Sequence, residues 1–189
     1  AVEEFDRGEL ERARRQAADL VRESRHAQAV EVLEAVLGPA SRVLGTDDEE
    51  VLALRLDLAG VLFEGGDYRR AAPVFGGLHR ELTRRYGLDD DRVLHCRRQE
   101  ATCLALMGQT GPALRLLRAL LAEVQEFHGP LDSRALELRR QIGLLEMGVG
   151  DTVRARRTLS VLLDDLTRLH GPEHPDTVRV RDNLARLTL

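Results

Sequence analysis

The sequence predicts an all-α fold in which helical hairpins stack into a right-handed superhelix. Three observations carry this expectation. The composition is that of a helix former: among 189 residues there are 34 Leu and a single Ile, and β-branched residues other than Val are scarce. Several independent columns share a period of 42, namely Gly45, Gly87, Gly129 and Gly171, then Gly66, Gly108 and Gly150, then Ala29, Ala71, Ala113 and Ala155. Within each period two stretches place apolar residues at helical spacing, as in Leu54, Leu58, Val61 and Leu62. Neither stretch buries its apolar face alone, so repeats of this kind stack on their neighbours around a continuous core.

The elements follow in order. Helices are expected at about 8–23, 26–44, 48–64, 68–86, 90–107, 110–128, 132–148, 152–170 and 175–187, forming four hairpins plus a last helix. Repeats at about 3–44, 45–86, 87–128 and 129–170, with a partial one at 171–189, make a single solenoid domain over 1–189. Asp48, Asp90 and Asp132 stand where an N-cap is needed, and His174–Pro175 takes that place in the last unit, with Pro suited to the first turn. Asp67 caps the second helix of its hairpin. Gly65–Gly66 closes the first helix and Gly87 the second, because glycine takes the left-handed conformation without a Cβ penalty. The column Ala17, Ala59, Ala101, Gly143, Ala185 lets paired helices approach closely. Gly76–Gly77 falls inside a helix, where each glycine costs about 1 kcal/mol relative to Ala, so a kink or close contact is expected there. Val180, Leu184 and Leu187 on the last helix have no second-helix partner and are expected to stay partly exposed.

Composition also excludes functions. All 28 basic residues are Arg and 32 residues are acidic, giving a net charge of −4 with only six aromatics. Such a chain is poorly suited to nucleic acid, which favours net positive charge and stacking platforms. No apolar run reaches membrane-spanning length, and the acidic start Ala1–Glu4 is no signal peptide. The cytoplasm is therefore the expected compartment. The absence of an initiating Met points to a piece of a longer polypeptide. Cys96 and Cys103 lie seven residues apart in core columns, too far along one helix to bridge and expected to be inert. His170, His174 and Asp176 could be drawn as metal ligands, but His170 belongs to the helix-ending column of Leu44 and Tyr86 and His174 is a linker residue, so no metal site is expected there; no phosphate loop or catalytic motif is present, and no cofactor is expected. The chain reads as non-enzymatic. Glu100 stands in a column otherwise held by Leu58, Ile142 and Leu184; a buried carboxylate needs a partner, for which Arg97 or an Arg of the adjacent hairpin is the expected source.

The pattern Ala59–Gly66–Ala71, followed by Phe75, resembles the tetratricopeptide repeat. The 42-residue period is similar to the longer subtype of kinesin light chains and many bacterial regulatory proteins. The run His170-Gly-Pro-Glu-His-Pro-Asp-Thr177 and then Asp182-Asn-Leu-Ala185 resembles that subtype's signature. This sequence departs from the shorter repeat at the column Arg55, Arg97, Arg139, Arg181, where an aromatic is usual.

The resemblance implies a protein-binding scaffold whose first helices line a concave groove. Carried onto this chain, the groove-facing candidates are Arg14, Arg15, Asp57, His95, Arg98, Gln99, Arg140, Gln141, Arg179, Asn183 and Arg186. Within them the column Asp57, Gln99, Gln141, Asn183 can hold a peptide backbone, since an amide donates and accepts at once. Arg offers forked bonds to carboxylates. Because the arginines outnumber Glu11, Asp57, Glu137 and Asp182 on this face, the expected partner is an extended acidic segment or a C-terminal carboxylate. The alternative is an oligomerisation or regulatory module of a larger signalling protein, such as a kinase or nucleotide-driven switch, with self-association through the last helix.

Overall fold

The computed structural model describes residues 6–187, which contain nine helices and no strand. The chain divides into two compact units, Ala1–Met107 and Gly108–Leu189. The first holds α1 (Arg7–Arg22), α2 (His26–Leu44), α3 (Glu49–Glu64), α4 (Tyr68–Tyr86) and α5 (Asp91–Leu106). The second holds α6 (Thr110–His128), α7 (Ser133–Gly148), α8 (Thr152–His170) and α9 (Pro175–Arg186). Helix ends fall within a residue or so of the periodicity. No helix among the described residues is long and apolar enough to cross a membrane.

The caps are those the repeat columns imply. Asp48, Asp90 and Asp132 accept from the backbone N–H of Glu50, Arg92 and Arg134, and Asp6 does the same for α1 through Gly8. Hydrogen bonds from Arg92 and Arg134 hold the Asp90 and Asp132 carboxyls below the usual carboxylate range, so these caps stay ionised acceptors. Asp67 and Asp151 cap the second helices α4 and α8. His174 caps α9, its Nδ1 accepting from the Asp176 N–H at 3.2 Å, with Pro175 in the first turn.

At the turn after α3, Gly66 sits at φ +80°, and Gly108 and Gly150 repeat this at +81° and +80°. An added Cβ at Gly66 or Gly150 would meet nothing within 4 Å, so backbone conformation rather than space selects glycine. Ser24 occupies the same column at φ +60°, the one described non-glycine residue with a positive φ. A left-handed L-residue costs about 1–2 kcal/mol, partly offset by the entropy glycine loses on folding. Ser24→Gly is therefore expected to stabilise the protein by about 1 kcal/mol, raising the melting temperature by about 2–4 °C. A calorimetric scan showing no rise would contradict this account of the turn.

In the first unit each helix packs on its chain neighbour, and α1 also meets α3. Leu10, Leu33, Leu54, Phe75, Leu78 and Leu82 are fully buried there. In the second unit Leu136, Leu159, Leu162, Leu166 and Val180 form a core. The expectation for Val180 is thus corrected: it is wholly buried against α8, while Leu184 and Leu187 pack more loosely on the same core. One second-unit contact is unusually close. A Cβ built on Gly143 would lie 2.5 Å from Cδ2 and 2.7 Å from Cγ of buried Leu159.

The arginine column has a mechanical role. Arg55 donates to the Thr46 carbonyl at 3.2 Å and pairs with Glu81 on α4. Arg139 donates to the Pro130 carbonyl at 3.2 Å and to Asp165 on α8 at 2.7 Å. Each guanidinium ties a first helix both to the linker entering it, nine residues back, and to a carboxylate on the following helix, 26 residues ahead. Arg181 donates to Pro172, nine residues back, at 2.7 Å.

Two acids occupy core-facing columns. Glu100 is half-buried and meets His79 Nε2 at 3.1 Å, so its partner is His79 on α4 and not an arginine. Gly76 makes room: a Cβ there would lie 2.9 Å from Glu100 Oε1. The glycine pair thus marks a close contact, and α4 runs through it as one helix. Glu146, 2% exposed, accepts from Thr158 Oγ1 at 2.8 Å and lies 3.9 Å from Arg118 Nη2.

Candidate functional site

The candidate residues all lie on first helices of the hairpins, as their 42-residue spacing requires. In the Ala1–Met107 unit, α1 and α3 bring Arg14, Arg15 and Asp57 to one open groove of about 600 Å³, floored by Ala17, Leu33, Leu56 and Val61. Arg14 is paired with Asp57 across the groove, and Arg15 with Glu11 along its own helix. With Glu64 also on the rim, three carboxylates stand against two guanidiniums there. The excess positive charge expected from the arginines is thus taken up locally at this end.

Further along the unit, α5 carries His95, Arg98 and Gln99. The His95 ring stands edge-on to Phe75, with centroids 6.1 Å apart. Partial burial there, aided by the charge of Arg98, lowers its pKa from the ordinary histidine value, so the ring is neutral at pH 7. Arg98 and Gln99 are half-buried. On the opposite side of the same helix Cys96 and Cys103 are fully buried, and burial pushes their thiols up to about 12 and about 11. Thiolate chemistry is closed to both.

In the Gly108–Leu189 unit, α7 presents Arg140 and Gln141, and α9 presents Arg179, Asn183 and Arg186. Arg140 pairs with Glu137 at 2.9 Å and overlies a small cavity of about 80 Å³, shared with His170 and Asp176. Arg179 lies 3.8 Å from Asp176, and Arg186 is exposed in the last turn. Asn183 is the most buried of the candidates. It is only 8% exposed, and its amide Oδ1 is buried without a hydrogen-bond partner among the described residues. A buried, unsatisfied amide oxygen costs about 1–3 kcal/mol, so such a group marks a site where an incoming donor is rewarded. The His170 and His174 rings stack at 4.5 Å with His174 Nδ1 committed to the α9 cap, and among the described residues no His, Cys, Asp or Glu cluster could hold a metal ion.

Solved structures decide the fold. A kinesin light chain from Podosopora anserina with nearly identical TPR-like repeats superposes with a TM-score of 0.80 at 18% identity, over 97% of this chain and 87% of that one. A single-substitution variant of that protein gives 0.79 at 19%, over 94% and 84%. BtubC (BKLC) from P. vanneervenii gives 0.73 at 17%, over 90% and 68%. The fold is the tetratricopeptide-like helical repeat. MamA from Desulfovibrio magneticus RS-1 shares it more distantly, at a TM-score of 0.58 and 17% identity over 95% of this chain and 93% of that one. No family model and no curated protein sequence matches the chain. At these identities the likeness to tetratricopeptide-like structures shows the fold alone.

Two features of the site region escaped sequence reasoning. Glu146 falls in a column with Leu20, Leu62 and Leu104, the same signal that flags Glu100, so its burial was detectable. The intramolecular pairing of Arg14 with Asp57 was not, because their spacing of 43 places them on neighbouring first helices without fixing the rotamers that join them.

Proposed function

We propose that this protein is a non-enzymatic scaffold that holds an extended acidic segment of a partner protein along its first helices. Arg14, Arg15, Arg98, Arg140, Arg179 and Arg186 would engage carboxylates, while Asp57, Gln99, Gln141 and Asn183 would meet the peptide backbone. The observation that carries the reading is the buried, unpartnered Oδ1 of Asn183, in the column that the tetratricopeptide resemblance gives to peptide contact. The existing ion pairs do not oppose it. Arg14–Asp57 and Arg15–Glu11 are exposed pairs of the kind worth about 0–1 kcal/mol, so a ligand carboxylate can replace the internal one at little cost.

Selection from a displayed library of random ten-residue peptides tests this. Acidic sequences are expected to be enriched, and enrichment of basic or featureless ones would refute the reading. Asn183→Ala is then expected to weaken the selected peptide about tenfold while leaving thermal stability unchanged or slightly higher, since it removes an unsatisfied oxygen. A purely structural Asn183 would give the reverse.

A further inference from the structure

In the Ala1–Met107 unit two columns of charge pair across successive first helices. Arg7 of α1 meets Glu50 of α3 at 2.8 Å, and Glu49 of α3 meets Arg92 of α5 at 3.1 Å. The sign is inverted from one couple to the next, so the position selects a pair of opposite charges and not a particular residue. The sequence continues the pattern with Asp91 and Arg134, again 43 positions apart. At the next step the couple is Ser133 on α7 and Asp176 on α9, and its cation is missing. Among the described residues the Asp176 carboxylate meets only Arg179 of its own helix and His174, each at 3.8 Å.

A cavity lies at this incomplete couple. It is the space of about 80 Å³ under Arg140, with Ser133 and Asp176 on its rim. Its floor is apolar and includes Leu136 and Val180 of the second-unit core. The Arg140 guanidinium is already held by Glu137 through bonds of 2.9 and 3.2 Å. The His170 ring is stacked on His174. Asp176 is therefore the lining carboxylate that no lining guanidinium holds. A narrow apolar cavity ending at a carboxylate suits lysine, whose methylene stem lies along apolar surface while its ammonium reaches a polar group. That ammonium has three donors, for which the Asp176 carboxylate and Ser133 Oγ offer acceptors. Arginine suits it less, because its charge is spread over a broad planar fork.

From this geometry we infer that the cavity receives a lysine side chain of the bound segment, whose ammonium stands in for the missing cation opposite Asp176. The inference rests on the reading of the first helices as a peptide-holding face and refines it. The segment is acidic where it meets the arginines and carries one lysine where it crosses the first turns of α7 and α9.

Parallel selections from the displayed ten-residue library, on the native chain and on Ser133→Arg, test this. The substitution supplies the cation internally, as Arg7 does in the same column at the start of α1. Asp176→Asn is the second variant and removes the carboxylate instead; circular dichroism checks the fold of both. The native pool is expected to hold a lysine at one fixed position among acidic residues. The Ser133→Arg pool should keep the acidic residues and lose the lysine. In fluorescence anisotropy, replacing that lysine with methionine keeps an unbranched stem and removes the charge. This should weaken binding to the native chain about fivefold and leave binding to Ser133→Arg and Asp176→Asn unchanged. The difference on the native chain should shrink as salt rises. An acidic pool without the lysine, a lysine equally frequent in both pools, or equal weakening by methionine on all three chains would overturn the inference and leave the acidic segment standing. A lysine that depends on Ser133 in a pool without acidic residues would support the cavity and refute the acidic segment. Pools with no enrichment on either chain would refute both.

Discussion

Arg139→Ala is expected to destabilise the protein by about 3 kcal/mol. Arg139 is only 8% exposed, yet it carries a full charge between α7 and α8. Truncation leaves the Pro130 carbonyl without its donor and Asp165 with only the exposed Arg168, 2.6 Å away. Breaking a buried pair from one side costs about 3–5 kcal/mol, and the remaining help from Arg168 places this case at the lower end. Arg139→Met combined with Asp165→Leu should recover most of the loss, because neither charge then has to be desolvated. The pH dependence has a definite sign. The Arg139 hydrogen bond holds the Asp165 carboxyl below its usual value, so this contribution is fully present above the ordinary carboxylate range and is lost as pH falls through the lowered native value. Urea melts at pH 7 and pH 3 should show the native protein losing more stability on acidification than Arg139→Ala. Coincident midpoints for the two proteins at pH 7 would refute the assignment.

Gly143→Ala should also destabilise, against the advice of the repeat itself. The column holds Ala at 17, 59, 101 and 185, so a consensus substitution would place Ala at 143 and anticipate a gain of about 1 kcal/mol in helix propensity. The structure opposes this. A methyl group would come within 2.5–2.7 Å of two Leu159 carbons, and Leu159 is wholly buried. Overpacking of this kind costs about 1–3 kcal/mol. The net result is a loss of about 1–2 kcal/mol, visible as a drop of several degrees in melting temperature. Leu159→Val in the same chain should relieve part of it, because it withdraws the crowding Cδ2. A melting temperature that rises in Gly143→Ala would show that α7 and α8 separate at little cost.

These two sites also show what was legible in the sequence. Helix positions were readable almost to the residue, because glycine at φ near +80° to +94° and aspartate N-caps recur at fixed columns and each has a local cause. The burial of Glu100 was readable from its column for the same reason. Its partner was not, since choosing His79 over Arg97 depends on the room that Gly76 leaves on α4. The role of the Arg55 column was likewise hidden. Its acids lie 26 residues away, neither at a helical spacing nor at the repeat period, and only packing brings them together. The site was legible as a set of columns. Its charge balance was not, because Arg14 and Arg15 each found an acid within the protein itself.

The clasp built on this column spans from nine residues before each arginine to 26 after it, so one clasp runs from Thr46 to Glu81 and another from Pro130 to Asp165. The helix-ending glycines at 45, 87, 129 and 171 all fall in the gaps between successive spans. A gene segment copied or deleted between two such glycines therefore carries both ends of its own clasp. Growth or shrinkage of the array by whole repeats leaves every clasp whole, which makes the glycine joints natural recombination points for lengthening or trimming this scaffold.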